Sequence, residues 1–119
     1  MRLSFPSLVA VPGLLLAMLL AVSCPAAVVI NEVLANNGGG LRDEDLESPG
    51  WIELYNNGVG AVNLDGWHLT DEAGNLTKWT FPATNLPAGG YLVVFTSGKN
   101  RANPGQPLHA NFQLDSGGE

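Results

Sequence analysis

The five residues Tyr91-Leu92-Val93-Val94-Phe95 sit between Pro87-Ala88-Gly89-Gly90 and a polar run from Ser97 to Pro107. Aromatic and β-branched side chains dominate them, the segment is too short for a helix, and its flanks are turn formers. It reads as a β-strand, the strongest in the chain.

The same pattern repeats in both directions. Upstream, Lys78-Trp79-Thr80-Phe81 is a short strand stopped by Pro82. Before it, Val62-Asn63-Leu64 alternates, turns at Asp65-Gly66 and resumes as Trp67-His68-Leu69-Thr70. Trp51-Ile52-Glu53-Leu54-Tyr55 ends at Asn56-Asn57-Gly58, and Val28-Val29-Ile30-Asn31-Glu32-Val33-Leu34 ends at Asn36-Asn37-Gly38-Gly39-Gly40. Asn and Gly stop strands there because they tolerate positive φ. Downstream, His109-Ala110-Asn111-Phe112-Gln113-Leu114 alternates again, while Asn85 to Gly90 reads as a turn. Short strands at turn-punctuated intervals, without an apolar helical period after residue 27, predict an all-β sandwich or barrel.

The chain has 119 residues, a net charge of −6 and 45% hydrophobic residues. Residues 1–26 hold 18 of those hydrophobic side chains, one basic residue and no acidic one. Met1-Arg2 precedes an apolar run from Leu8 to Val22, and Ser23-Cys24-Pro25-Ala26-Ala27 follows with small side chains. A basic start, an apolar run and a small-residue exit make residues 1–26 a secretory signal peptide, so the expected destination is the cell envelope or the exterior. A membrane-spanning helix would need about 20 apolar residues. Pro12-Gly13 breaks this run near its start. The other exit is lipoprotein processing at Cys24, although Ala21 stands where a lipobox usually has leucine.

Residues 27–119 then form one domain with a modest core. They carry 4 basic against 11 acidic residues, which excludes electrostatic capture of nucleic acid. Cys24 is the sole cysteine, so no disulfide framework is available.

Asp43, Asp45 and Glu47 alternate in an acidic loop after three glycines and are the candidate calcium ligands, because calcium takes several oxygen donors from a flexible loop. The spacing does not satisfy an EF-hand, and a solvated acidic loop is the competing account. Glu32 and Glu53, in apolar strands, are expected to accept hydrogen bonds from loop backbone; a catalytic carboxylate pair is the sharper alternative. Trp51, Trp67 and Trp79 are expected in the core. His68 and His109 lie in different strands and are expected to be satisfied structurally rather than to bind zinc. No nucleophile-elbow, P-loop or dinucleotide fingerprint is present.

Six segments in order, namely Ile30-Asn31-Glu32-Val33, Trp51 to Asn56, Leu64 to Asp71, Lys78 to Pro82, Gly90 to Phe95 and His109 to Leu114, resemble the lamin-tail domain, and in particular its secreted bacterial branch. The resemblance implies an immunoglobulin-like β-sandwich over residues 27–119, without catalytic residues or a cofactor. It departs at Gly50, where the family often has an acidic residue, and at Gly118-Glu119, beyond which the family continues into further strands. The domain is accordingly expected to be an incomplete sandwich within a longer extracellular protein. Its expected role is recognition or spacing, with another protein or a surface polymer as partner and loops 36–50 and 97–108 as the binding regions. The alternative is an accessory domain of a secreted enzyme whose catalytic part lies beyond Glu119.

Overall fold

The structure, a computed structural model, describes residues 28–117. The expected signal peptide, Cys24 and Gly118-Glu119 therefore lie outside the described residues. Among the described residues every element is a strand: β1 (Val28–Leu34), β2 (Gly50–Asn56), β3 (Val62–Asn63), β4 (His68–Leu69), β5 (Trp79–Thr80), β6 (Asn85–Leu86), β7 (Tyr91–Thr96) and β8 (Leu108–His109). They form a sheet in the order β1-β2-β7-β8 and two small pairs, β3-β6 and β4-β5. The large sheet is antiparallel except that β8 runs parallel to β7. This is the architecture of an immunoglobulin-like β-sandwich.

Alternation in β2 shows how the layers meet. Ile52, Leu54 and Asn56 are buried while Trp51, Glu53 and Tyr55 are half-buried, as expected of a central strand with one face on the core. Ile52 and Leu54 join Leu64, Leu69, Trp79, Phe81, Leu86, Val94, Leu108, Ala110 and Phe112 in one cluster. The second layer contributes Leu64, Leu69, Trp79, Phe81 and Leu86 to it. Trp79 meets Phe81 edge-on, with ring centroids 4.8 Å apart. Asn56, with no exposed surface, ends β2 by donating to the carbonyls of Gly60 and Leu86 and accepting from the Gly58 amide.

Two elements differ from the sequence reading. β6 forms inside the segment expected to be a turn, because Leu86 pairs with Val62 and buries its side chain. Only the first residue of the alternating run 109–114 lies in a ladder strand; the rest keeps its alternation, burying Ala110 and Phe112, but follows an irregular edge. Asn111 Nδ2 donates to the Lys78 carbonyl and Gln113 Nε2 to the Ser97 carbonyl along that edge.

Gly50 now has a physical reason. A Cβ there would lie 2.8 Å from the Leu34 carbonyl oxygen and 2.9 Å from both the Ala35 carbonyl and Thr96 Oγ1. The end of β1 and the end of β7 close on this position from both sides. No side chain fits, so an acidic residue is excluded.

Only one of the three tryptophans reaches the core. Trp79 is 3% exposed, as expected. Trp51 pairs across the sheet with Phe95 and lies half-buried on the face away from the core cluster. Trp67 is 45% exposed. It follows the Asp65-Gly66 turn, whose Gly66 takes φ +77°, and leads into β4 at the rim of the second layer.

Candidate functional site

The loop that carries the acidic residues is fixed from within. Asn37 is buried, donates through Nδ2 to the Leu41 carbonyl at 2.6 Å and the Pro49 carbonyl at 3.0 Å, and accepts from the Gly40 amide. One side chain thereby ties the start of the loop to its end. Asp43 is buried too, and its Oδ1 accepts from the amides of Asp45 at 3.0 Å and Glu47 at 2.9 Å. That is the local closure expected of Glu32 and Glu53, made by a different carboxylate.

Asp43, Asp45 and Glu47 do converge on one point. That point is taken by the ammonium of Lys99, whose Nζ lies 2.5 Å from Asp43 Oδ2, 2.7 Å from Asp45 Oδ2 and 2.6 Å from Glu47 Oε2. Beside it the Arg101 guanidinium forks onto Glu44 at 2.5 Å and Asp45 at 2.7 Å. Glu44 also receives His109 Nε2, at 2.9 Å. Two loops remote in sequence are joined by four carboxylates and two permanent cations.

His109 is wholly buried, and both ring nitrogens are satisfied. An ionised Glu44 can only accept, so Nε2 carries a proton. Nδ1 lies 2.8 Å from Ser97 Oγ, and the ring stacks on Phe95 at 5.2 Å between centroids. A carboxylate, an imidazole and a hydroxyl in a row are the constituents of an activated nucleophile. Here the imidazole has no exposed surface and Glu44 is shared with Arg101, so the row acts as a strut between β8 and the acidic loop. His68, by contrast, is exposed and meets Thr80 Oγ1 through Nδ1 at 3.0 Å.

The charges hold one another in their ionised forms. Burial pushes Asp43 up, but hydrogen bonds from Lys99 and from the Glu47 and Asp45 amides outweigh it and leave the carboxyl below its ordinary value. Lys99 and then Arg101 bring Asp45 from the ordinary 3.8 down to about 2. His109 is the main cause that lowers Glu44. Desolvation opposes the Lys99 charge, yet its three carboxylates raise it above the normal lysine range.

Glu32 and Glu53 are brought together only as cross-strand partners, β1 against β2. Asn31 is the extra residue at a register shift between Ile30 and Glu32, and its Nδ2 donates to Glu53 Oε1 at 2.8 Å. Glu32 is exposed on β1. Neither carboxylate has a loop amide among its described hydrogen bonds, in contrast to the sequence reading. Lys99 and Arg101, which the sequence alone does not single out, sit two apart on either side of Asn100, whose φ is +53°. Their spacing in sequence mirrors that of Asp43 and Asp45, and opposite charge at matched spacing was the available signal.

No curated protein and no solved structure matches the chain. The family described as Lamin Tail Domain matches residues 21–119. With a β-sandwich whose strands carry the matching segments, the chain belongs to the lamin tail domain family.

Proposed function

We propose that this chain is a non-catalytic recognition module of a secreted protein of bacterial type, and that the clamped loop 36–50 carries the contact. The supporting observation is Leu46. It is 74% exposed and holds φ at +67°. A non-glycine residue in that region costs about 1–2 kcal/mol. The hydrogen bond from its amide to the Asp43 carbonyl, at 3.0 Å, and the ion cluster beneath keep it there. A rigid loop that presents a strained aliphatic side chain to water gains from a partner that covers it, by about 1.5–3 kcal/mol for a leucine. Leu41, 48% exposed, is a second apolar side chain of the same loop.

In this reading the cation of the acidic loop is Lys99 rather than calcium, and the cluster is scaffolding for the tip. Leu46→Gly relieves the backbone strain and deletes the apolar side chain together. The variant should melt no lower than the parent. Immobilised on a resin, it should fail to retain the cell-surface protein or polymer that the parent retains. Equal retention by both proteins would overturn the assignment to this loop.

A further inference from the structure

The core of the sandwich is open along β1. Cross-strand partners share a face of the sheet, and Ile30 pairs with Leu54 while Val33 pairs with Ile52. Leu54 and Ile52 are 5% and 4% exposed; Ile30 and Val33, on the same inward face, are 58% and 53% exposed. These two are core-facing side chains with no second layer above them among the described residues. At Ile30 lies a groove of about 130 Å³ walled by Ile30 and Leu54 on one side and by Trp67, His68, Leu69 and Phe81 on the other. It has room for one aliphatic side chain, and its far wall is β4.

β4 pairs only with β5 among the described residues, so its other edge is free. The Phe81 amide donates to the Trp67 carbonyl, the bond that flanks a non-hydrogen-bonded pair at His68 and Thr80. The alternation of an antiparallel ladder then turns the His68 amide and carbonyl away from β5, to the open side. An uncovered apolar face beside an unpaired strand edge has the shape of a missing strand. An extended polypeptide satisfies both at once, through ladder bonds to β4 and alternate apolar side chains over Ile30 and Val33.

Charge indicates what kind of strand fits. Lys78 is paired with Asp71 and Glu72, Lys99 and Arg101 are paired with the acidic loop, and Arg42 lies within that loop. Asp65, two residues from Trp67, has no ion pair among the described residues, while Glu32 pairs with Glu53 on the opposite face of the sheet. A second copy of this chain carries the same net charge of −6 and is repelled at long range, whereas a basic segment is attracted. We infer that the β1-β4 groove binds, by strand addition to β4, an extended segment of another polypeptide with alternating apolar residues and flanking lysines or arginines.

The test uses the purified protein and a heptapeptide of alternating Val and Thr with a Lys at each end. Binding should blue-shift Trp67 emission and slow hydrogen exchange at the His68 amide. Replacing the terminal lysines with Glu should weaken binding about fivefold or more, by an amount that shrinks with salt. Val33→Asp, at an exposed site, should abolish binding with the fold kept. Binding without protection at His68, or binding unaffected by Val33→Asp, would overturn the inference. So would absence of binding at millimolar peptide. Protection of the His68 amide without any peptide would also overturn it, by showing that the protein's own chain already fills the groove.

Discussion

The two ends of the apolar and polar scale are solved differently in this small sandwich. Where loop 36–50 meets Ser97, Lys99, Arg101 and His109, the strongest polar groups in the chain are matched to each other. Along β1, core-facing Ile30 and Val33 stand largely in water. The contrast follows from the nature of the forces. Ion pairs and hydrogen bonds are short-ranged and stoichiometric, so a few residues can saturate one another within a single loop contact. Apolar burial needs area, and area needs a second layer that β4 and β5, two residues each, do not extend over β1.

If the ionic end is truly saturated, breaking it at its buried member has the largest effect. Asp43→Ala removes the acceptor for two loop amides and one face of Lys99. Leaving such groups unmatched costs about 2–3 kcal/mol, read as a lowered urea midpoint. Asp43→Asn keeps an oxygen for the amides and loses the ion pair, so its midpoint should fall between. An Asp43→Ala variant as stable as the parent would mean that the cluster holds nothing together.

Acid titration addresses the same contact with no substitution. Asp43, Glu44 and Asp45 have folded values below their ordinary ones, so each contributes stability that is complete above the unfolded value. As pH falls, the unfolded chain takes up protons first, and the contribution disappears as the folded carboxyls titrate. For Asp45 that window runs from 3.8 down to about 2. Lys99 has the opposite sign: its raised value gives a contribution present at neutral pH and lost only in strong alkali. These three carboxyls and Lys99 therefore contribute no slope between pH 6 and 8, and thermal melts should decline below about pH 4. An Asp45→Asn variant should decline less steeply there. The same slope in both proteins would remove Asp45 from the network.

How much of this was legible follows from the range of each interaction. The strands in which Leu92, Val94, Ile52 and Leu54 alternate could be read because local sequence sets the period of two. β6 could not, because Asn85-Leu86 has no local strand signal and exists through Val62 across the layer. The acidic loop was legible as a cluster of carboxylates. Its cation was not, since Lys99 lies 56 residues from Asp43 and only the parallel crossing from β7 to β8 brings it there. Trp67 was misread for a related reason: composition says that a tryptophan favours burial, and topology decides whether a layer arrives to bury it.

The smallest expected effect is the sharpest check on the open side. Val33, Ile52 and Val94 form one row across β1, β2 and β7, on one face of one sheet. Their exposure is 53%, 4% and 0%. A Val→Thr exchange keeps the β-branch and strand propensity and adds only a hydroxyl. At Val94 the hydroxyl is buried among apolar side chains and costs about 1–3 kcal/mol. At Val33 water solvates it, so stability should stay within about 0.5 kcal/mol of the parent. The two variants share chemistry, row and face, so the difference between their urea midpoints reports coverage alone. A Val33→Thr penalty as large as that of Val94→Thr would mean that something already covers β1, and the open side would then be as closed as the ionic end.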